Sequence, residues 1–296
     1  CLPDASDYRP FSWPRLEQEG FRLIEQAILC AGDHESTGVL LSGGPDSGLI
    51  LATLAAQSAM PVRTFSFAFP GGYDERVHAR RTAAHYGADH SEISVDPRMD
   101  EILFDLAGHF EEPNGNASAP FWYLVKRHAR NRVETLVCGE GADEVFGGRS
   151  RHLALGAVEG LSRFPGHRVM GGAAAAARAM GARDTLQAFL TGASLPPVER
   201  HLSWLNVVSR PGRAELYDPE FAREINGDLL HELVAGILRP PRHPLRDAFD
   251  VDLGIWVPNT VCNNLAGAGA RIATPYLDRR VAAFGAALPP RARVGW

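Results

Sequence analysis

From residue 15 to residue 31 apolar positions recur at helical spacing, with Leu16, Phe21, Ile24 and Ile28 on one side. That pattern predicts an amphipathic helix. The residues before it, within 1–20, are rich in proline and polar groups and read as a lead-in. Gly38–Leu41 is a short apolar run that stops at Ser42-Gly43-Gly44, and a helix is expected from about Asp46 to Ala59. Val62–Phe69, rich in β-branched and aromatic residues, predicts a second strand. A helix over 74–86, a strand over 90–95, and helices over 98–110 and 119–131 follow. Glu134–Cys138 is a further buried-strand candidate that again ends in a glycine loop. Strands alternating with helices imply β-α-β units and a parallel sheet. In such sheets ligands bind beyond the carboxyl ends of the strands, where both glycine loops fall. Beyond 150 alanine, leucine and arginine dominate and helices are expected up to Leu288. The alanine-rich run Gly171–Ala177 also reads as helix. The expected organisation is a lead-in and helix over 1–34, an α/β region over 35–150 and a helical region over 151–296.

Composition narrows the function classes. Hydrophobic residues make up 45% of the 296, enough for a sizeable core. No apolar run approaches the roughly 18 residues that cross a bilayer, so no membrane is expected. The net charge of −5 argues against a nucleic-acid partner, which selects basic domains. None of the cysteines, Cys1, Cys30, Cys138 and Cys262, forms a C-x-x-C pair, which gives little support to zinc or a redox dithiol. With no secretory pattern visible, a cytoplasmic location is expected. Among the 30 basic residues one is lysine, Lys126. It reads as a solvated helix lysine.

The candidate chemistry starts at the first loop. A hydrophobic strand runs through Leu41 into Ser42-Gly43-Gly44-Pro45-Asp46-Ser47 and then into a helix. Glycines allow a tight turn and close approach of backbone to ligand. The backbone N–H groups and the helix N-terminus then face an anion, and Ser42 and Ser47 can donate to phosphate oxygens. An aspartate beside phosphate makes sense if it holds Mg2+, which binds through carboxylates and phosphates together. The S-G-G-x-D-S pattern resembles the PP-loop ATP pyrophosphatases, which cleave ATP between the α and β phosphates. It implies an α/β fold with an adenine nucleotide α-hydrolase-like core, followed by the largely helical C-terminal half that the pattern beyond 150 predicts.

The second loop, Cys138-Gly139-Glu140-Gly141-Ala142-Asp143-Glu144-Val145-Phe146-Gly147-Gly148, closely resembles that of the asparagine synthetase family. Other segments agree in order: Thr64–Phe67 followed by Tyr73-Asp74-Glu75, then Glu111-Glu112-Pro113, then Thr274-Pro275-Tyr276-Leu277-Asp278. The resemblance implies that Asp46 and Asp143 hold Mg2+ on ATP. It implies that Leu41, Ser42, Gly43, Gly44, Asp46, Ser47, Cys138 and Gly139 form the ATP site. Glu140 matches an active-site glutamate of asparagine synthetases, where relatives that close β-lactam rings carry tyrosine. Asp46, Asp143 and Glu140 are thus the expected catalytic set.

The chain also departs from that family. The first loop arrives at residue 42, which leaves no room for a glutaminase domain, and Cys1 is followed by Leu-Pro-Asp. A separate glutaminase or partner protein is the matching expectation. In the late segment Asn263 and Asn264 stand where the family carries charge, and Arg271 is the candidate for its arginine, displaced by two. Lys126 is not the family's late catalytic lysine. Arg149 and Arg151 follow the second loop and are candidates to meet a departing pyrophosphate. The expected activity is ATP-dependent amide formation: a small-molecule or peptide carboxylate is activated as an acyl-adenylate and meets ammonia or an amine. The alternatives are an incomplete synthetase acting as a nucleotide-binding partner subunit, or a relative that forms natural-product lactams.

Overall fold

The computed structural model describes residues 13–33, 35–68, 75–94, 100–108, 116, 118–162, 172–173, 176, 180, 184–205, 216–224, 229–238, 244–258 and 269–294. The chain divides into two compact units, one drawn from Cys1–Phe146 and Val257–Leu288, the other from Gly147–Trp256 and Pro289–Trp296.

The first unit is built on a parallel five-stranded sheet. Its strands are β1 (Thr37–Leu40), β2 (Arg63–Ala68), β3 (Asp89–Ser94), β4 (Thr135–Val137) and β5 (Arg271–Ala273). Their spatial order is β3-β2-β1-β4-β5, and every neighbouring pair is parallel. The chain steps outward in one direction from β1 to β3 and in the other from β4 to β5. The reversal therefore lies between β1 and β4, whose residues Val39 and Val137 are in register. Ligand crevices of open α/β sheets form at such reversals.

Helices α1 (Trp13–Leu29), α2 (Pro45–Gln57), α3 (Arg76–His85), α4 (Asp100–Ala107), α5 (Ala119–Ala129) and α6 (Ala142–Phe146) connect or flank the strands. Both sheet faces are buried, as parallel sheets require. Ile28, Val39, Leu41, Ile50, Leu51, Ala79 and Val137 pack on one face. Phe65, Ile93, Trp122, Val125, Ala129 and Leu136 pack on the other. Leu136 and Val137 go to opposite faces because successive strand residues alternate. A helix at Arg279–Ala287 closes against α1, where a Cβ on Gly20 would stand 2.9 Å from the Phe284 ring.

The strands and helices expected before residue 140 are present with ends shifted by a few residues. Two expectations are corrected. The pattern beyond 150 predicts helices alone, yet Arg271–Ala273 forms the fifth strand and completes the sheet edge beside β4. Lys126 is buried, with 4% exposure, on the face of α5 that carries Trp122, Val125 and Ala129. Its burial lowers the ammonium pKa. Residues 73–74, 111–113 and 263–264, and most of the alanine-rich run, lie outside the described residues.

The second unit is helical among its described residues. It contains α7 (Ser150–Ser162), helices at Asp184–Ser194, Pro197–Leu205, Leu229–Ile237 and Pro244–Val251, and a π-helix at Asp252–Trp256. Leu155, Ala248, Phe249 and Val294 form one core cluster, and Leu202, Val234, Leu238 and Val251 another. A buried polar group lies among them. Asp252 accepts from Arg151 at 2.7 Å and pairs with His152 Nε2 at 2.7 Å. Among the described residues no helix is long and apolar enough to cross a membrane.

Candidate functional site

β1 ends at Leu40, and Leu41 anchors the first loop. Its N–H donates to the Phe65 carbonyl at 2.8 Å and its side chain is in the core. Leu41 therefore roots the loop and turns no side chain outward. The loop turns at Gly43, where φ is +84° and a Cβ would lie 2.5 Å from the Ala79 nitrogen. Glycine is required twice over, by the left-handed backbone and by the close approach of α3.

Two serines brace the turn from inside. The Ser42 N–H donates to Ser47 Oγ at 3.2 Å, and the two hydroxyls lie 3.0 Å apart. The Gly44 N–H donates to Ser42 Oγ at 3.3 Å, and the Ser47 hydroxyl to the Gly44 carbonyl at 3.3 Å. Helix α2 then starts at Pro45, with Gly44 as an N-cap that makes no side-chain capping bond. Gly44 brings no side-chain cap to the N-terminus of α2, and the N–H groups and dipole of that end point beyond the end of β1. Asp46 sits in that first turn.

β4 delivers the second loop beside the first. Cys138 is its root: its N–H donates to the Ala273 carbonyl at 3.0 Å, and its buried thiol, with its pKa pushed well up, is inert. Gly139 runs directly against the first loop. A Cβ there would stand 3.3 Å from Asp46 Cβ and 3.6 Å from the Ser47 nitrogen. Glu140 follows beside the Cys138 thiol, to which its backbone N–H is bonded. Gly141 turns at φ +91°, and α6 carries Asp143 and Glu144 in its first turn.

The charges of this arrangement converge. The Asp46 carboxyl is pushed above its ordinary range, first by burial and then by the charges of Asp143 and Glu144. Opposed carboxylates in partial burial are costly to keep ionised together, and a divalent cation relieves that cost. Among the described residues no group of three or more His, Cys, Asp or Glu is placed to hold a metal ion. Such a pair suits a cation that completes its shell with phosphate and water, as Mg2+ does.

The structure thus brings together Ser42, Gly43, Gly44, Asp46 and Ser47 with Gly139, and places Asp143 within electrostatic reach of Asp46. Glu144 joins them and was not singled out from the sequence. Its 2% exposure was concealed by a loop composition that reads as solvated. Arg271 is the first residue of β5. It pairs with Thr135 at the start of β4, and its side chain donates to Thr135 Oγ1 and the Ala31 carbonyl. That is the strand end opposite the loops. In the second unit Arg151 is engaged by Asp252, and Arg149 and Arg151 each stack on Trp256 at 5.5 Å.

Comparison with known proteins points to one family. The asparagine synthase family model matches residues 22–295. An asparagine synthetase-type protein of Methanocaldococcus jannaschii is 29% identical over 166 residues, covering 55% of this chain and 32% of that protein. Glutamine-hydrolysing asparagine synthetase 1 of Bacillus subtilis is 32% identical over 131 residues, covering 43% and 20%. The human glutamine-hydrolysing asparagine synthetase is 33% identical over 123 residues, covering 38% and 21%. The matched stretches thus span a third or less of these relatives. The family is one of ATP-dependent ligases that use Mg2+. With a match over most of its length and the two glycine loops side by side at the sheet reversal, the chain belongs to the asparagine synthase family.

Proposed function

We propose that the two loops bind ATP with Mg2+ and that the chain activates a carboxylate as an acyl-adenylate, with AMP and pyrophosphate as products. The acid is a small molecule or a peptide, and the acceptor is ammonia or an amine, supplied by a partner protein or by the substrate itself. The observation that carries this reading is the packing of Gly139 against Asp46, with the charges of Asp143 and Glu144 acting on the same carboxylate.

In this reading the turn at Gly43 and the uncapped start of α2 receive the phosphates, and Ser42 and Ser47 hold the turn in shape. Asp46 and Asp143 hold the metal, and Mg2+ when bound neutralises charge on the phosphates. The substrate carboxylate attacks the α-phosphorus, the bond to the bridging oxygen breaks, and pyrophosphate leaves with the electron pair. Catalysis of such a transfer is mostly positioning and charge stabilisation, which two rigidly rooted loops provide. Glu140, on the loop between Gly139 and Gly141, is the residue this reading assigns to meet the acid or the incoming amine.

The test is calorimetric titration of ATP with and without Mg2+ on the wild type, Asp46→Asn and Asp143→Asn. Each substitution is expected to weaken Mg2+-dependent binding by more than tenfold, about 1.4 kcal/mol. Unchanged binding in both variants overturns the site. Turnover that yields ADP and phosphate overturns the chemistry.

A further inference from the structure

The segment Arg271–Leu277 touches both glycine loops, at points that sequence spacing does not reveal. Its strand part ties to the second loop, where the Ala273 carbonyl accepts from the Cys138 N–H at 3.0 Å. It then turns through a short 3-10 helix, Pro275–Leu277. The Leu277 side chain fills the space over Gly141, so closely that a Cβ at Gly141 would collide with it. The Tyr276 hydroxyl donates to the main-chain carbonyl of Asp46 at 3.0 Å.

Tyr276 is 2% exposed, and its ring packs with Val39, Leu41, Ile50 and Val137 and edge-on to Phe146. Core packing explains the ring. It does not explain the hydroxyl, because a phenylalanine would fill the same space without burying a polar group. The hydroxyl donates into the first turn of α2, to the residue whose carboxylate opposes Asp143 and Glu144. The like charges of Asp46, Asp143 and Glu144 push the two loops apart, and this turn contacts both loops. Burial and the Asp46 charge both raise the hydroxyl pKa, so it remains a donor throughout the working pH range.

We propose that Pro275–Leu277 is a clasp across the two loops, in which Tyr276 positions Asp46 and Leu277 positions Gly141, so that the carboxylates are held ready for the metal. The clasp rests on the reading of Asp46 as a magnesium carboxylate. Tyr276 is a positioning residue: it acts on the ligand through the main chain of Asp46.

The experiment measures the Mg2+ concentration that half-saturates ATP binding, and ATP binding without Mg2+, in wild type, Tyr276→Phe, Leu277→Ala and Asp46→Asn, with circular dichroism to check the fold. Tyr276→Phe keeps the ring and its packing. The expected result is a rise of threefold or more in half-saturating Mg2+, with ATP binding without Mg2+ within twofold of wild type. Leu277→Ala loosens the other loop and is expected to shift the same quantity, which keeps the test decisive if Tyr276→Phe does not fold. Unchanged half-saturation in the folded clasp variants, beside lost Mg2+ dependence in Asp46→Asn, overturns the clasp alone. Equal weakening with and without Mg2+ marks a general structural role and also overturns it. If Asp46→Asn itself keeps its Mg2+ dependence, the metal reading fails and the clasp falls with it.

Discussion

The main chain at Gly139 lies against the side chain of Asp46, with room for a Cβ only at 3.3 Å from that of Asp46. Contacts this tight leave a few tenths of an ångström to be found by movement of one loop. Gly139→Ala is therefore expected to fold, with a melting temperature within about 3 °C of wild type, while Mg2+-dependent ATP binding weakens several-fold. Gly139→Val is expected to weaken it further. Thermal unfolding and calorimetry on the same preparations check both halves. A variant that binds Mg2+-ATP as tightly as wild type would show that the distance between the loops does not matter.

The surroundings of Asp46 disfavour its ionised form. Burial, Asp143 and Glu144 raise its pKa above the ordinary 3.8. The folded chain then binds that proton more tightly than the unfolded chain does. The ionised carboxylate costs stability at every pH above the raised value, and the cost fades as the pH falls toward 3.8. Without Mg2+ and nucleotide, Asp46→Asn is expected to raise the melting temperature near pH 7. The gain shrinks on acidification. A melting curve of the two proteins across pH decides it, and a variant that is less stable at neutral pH contradicts the expectation.

His201 gives the opposite slope. It is 5% exposed, and its pKa is pushed down to about 4, chiefly by burial, against the pull of Asp252 and with the charges of Arg200, Arg151 and His152 adding to the fall. The unfolded chain takes up a proton near pH 6.5, the folded chain only near 4. The stability tied to this group is complete above 6.5 and is lost as the pH falls toward 4. From pH 7 to pH 5 the loss is about 2 kcal/mol. Urea unfolding at both values should show it, and His201→Gln should flatten the difference. An unchanged slope in the variant would place the titration elsewhere.

The two loops were legible in the sequence because their backbones demand glycine: Gly43 and Gly141 both adopt positive φ, and no other residue type serves as well. The strand β5 was not legible. Arg271-Ile272-Ala273 is three residues long, carries one β-branched side chain, and is a strand only because β4 offers an edge to pair with. Lys126 was misplaced by its charge. Its neighbours in the stripe Trp122, Val125 and Ala129 set the buried face at helical spacing, and a long aliphatic stem can follow them inward. Tyr276 stood in a segment known by resemblance, yet nothing in the spacing of residues tells that its hydroxyl reaches Asp46. Long-range contacts of single polar atoms leave no period to read.

The burial of Lys126 also governs how the folded chain meets amine-directed reagents. It is the one ε-amine in these 296 residues, and it lies inside α5 at 4% exposure. Acylating labels and lysine-bridging cross-linkers thus find their single side-chain target shut away until α5 lifts from the sheet. Modification at that position becomes a clock for the opening of this helix, with no other lysine in the sequence to blur its signal.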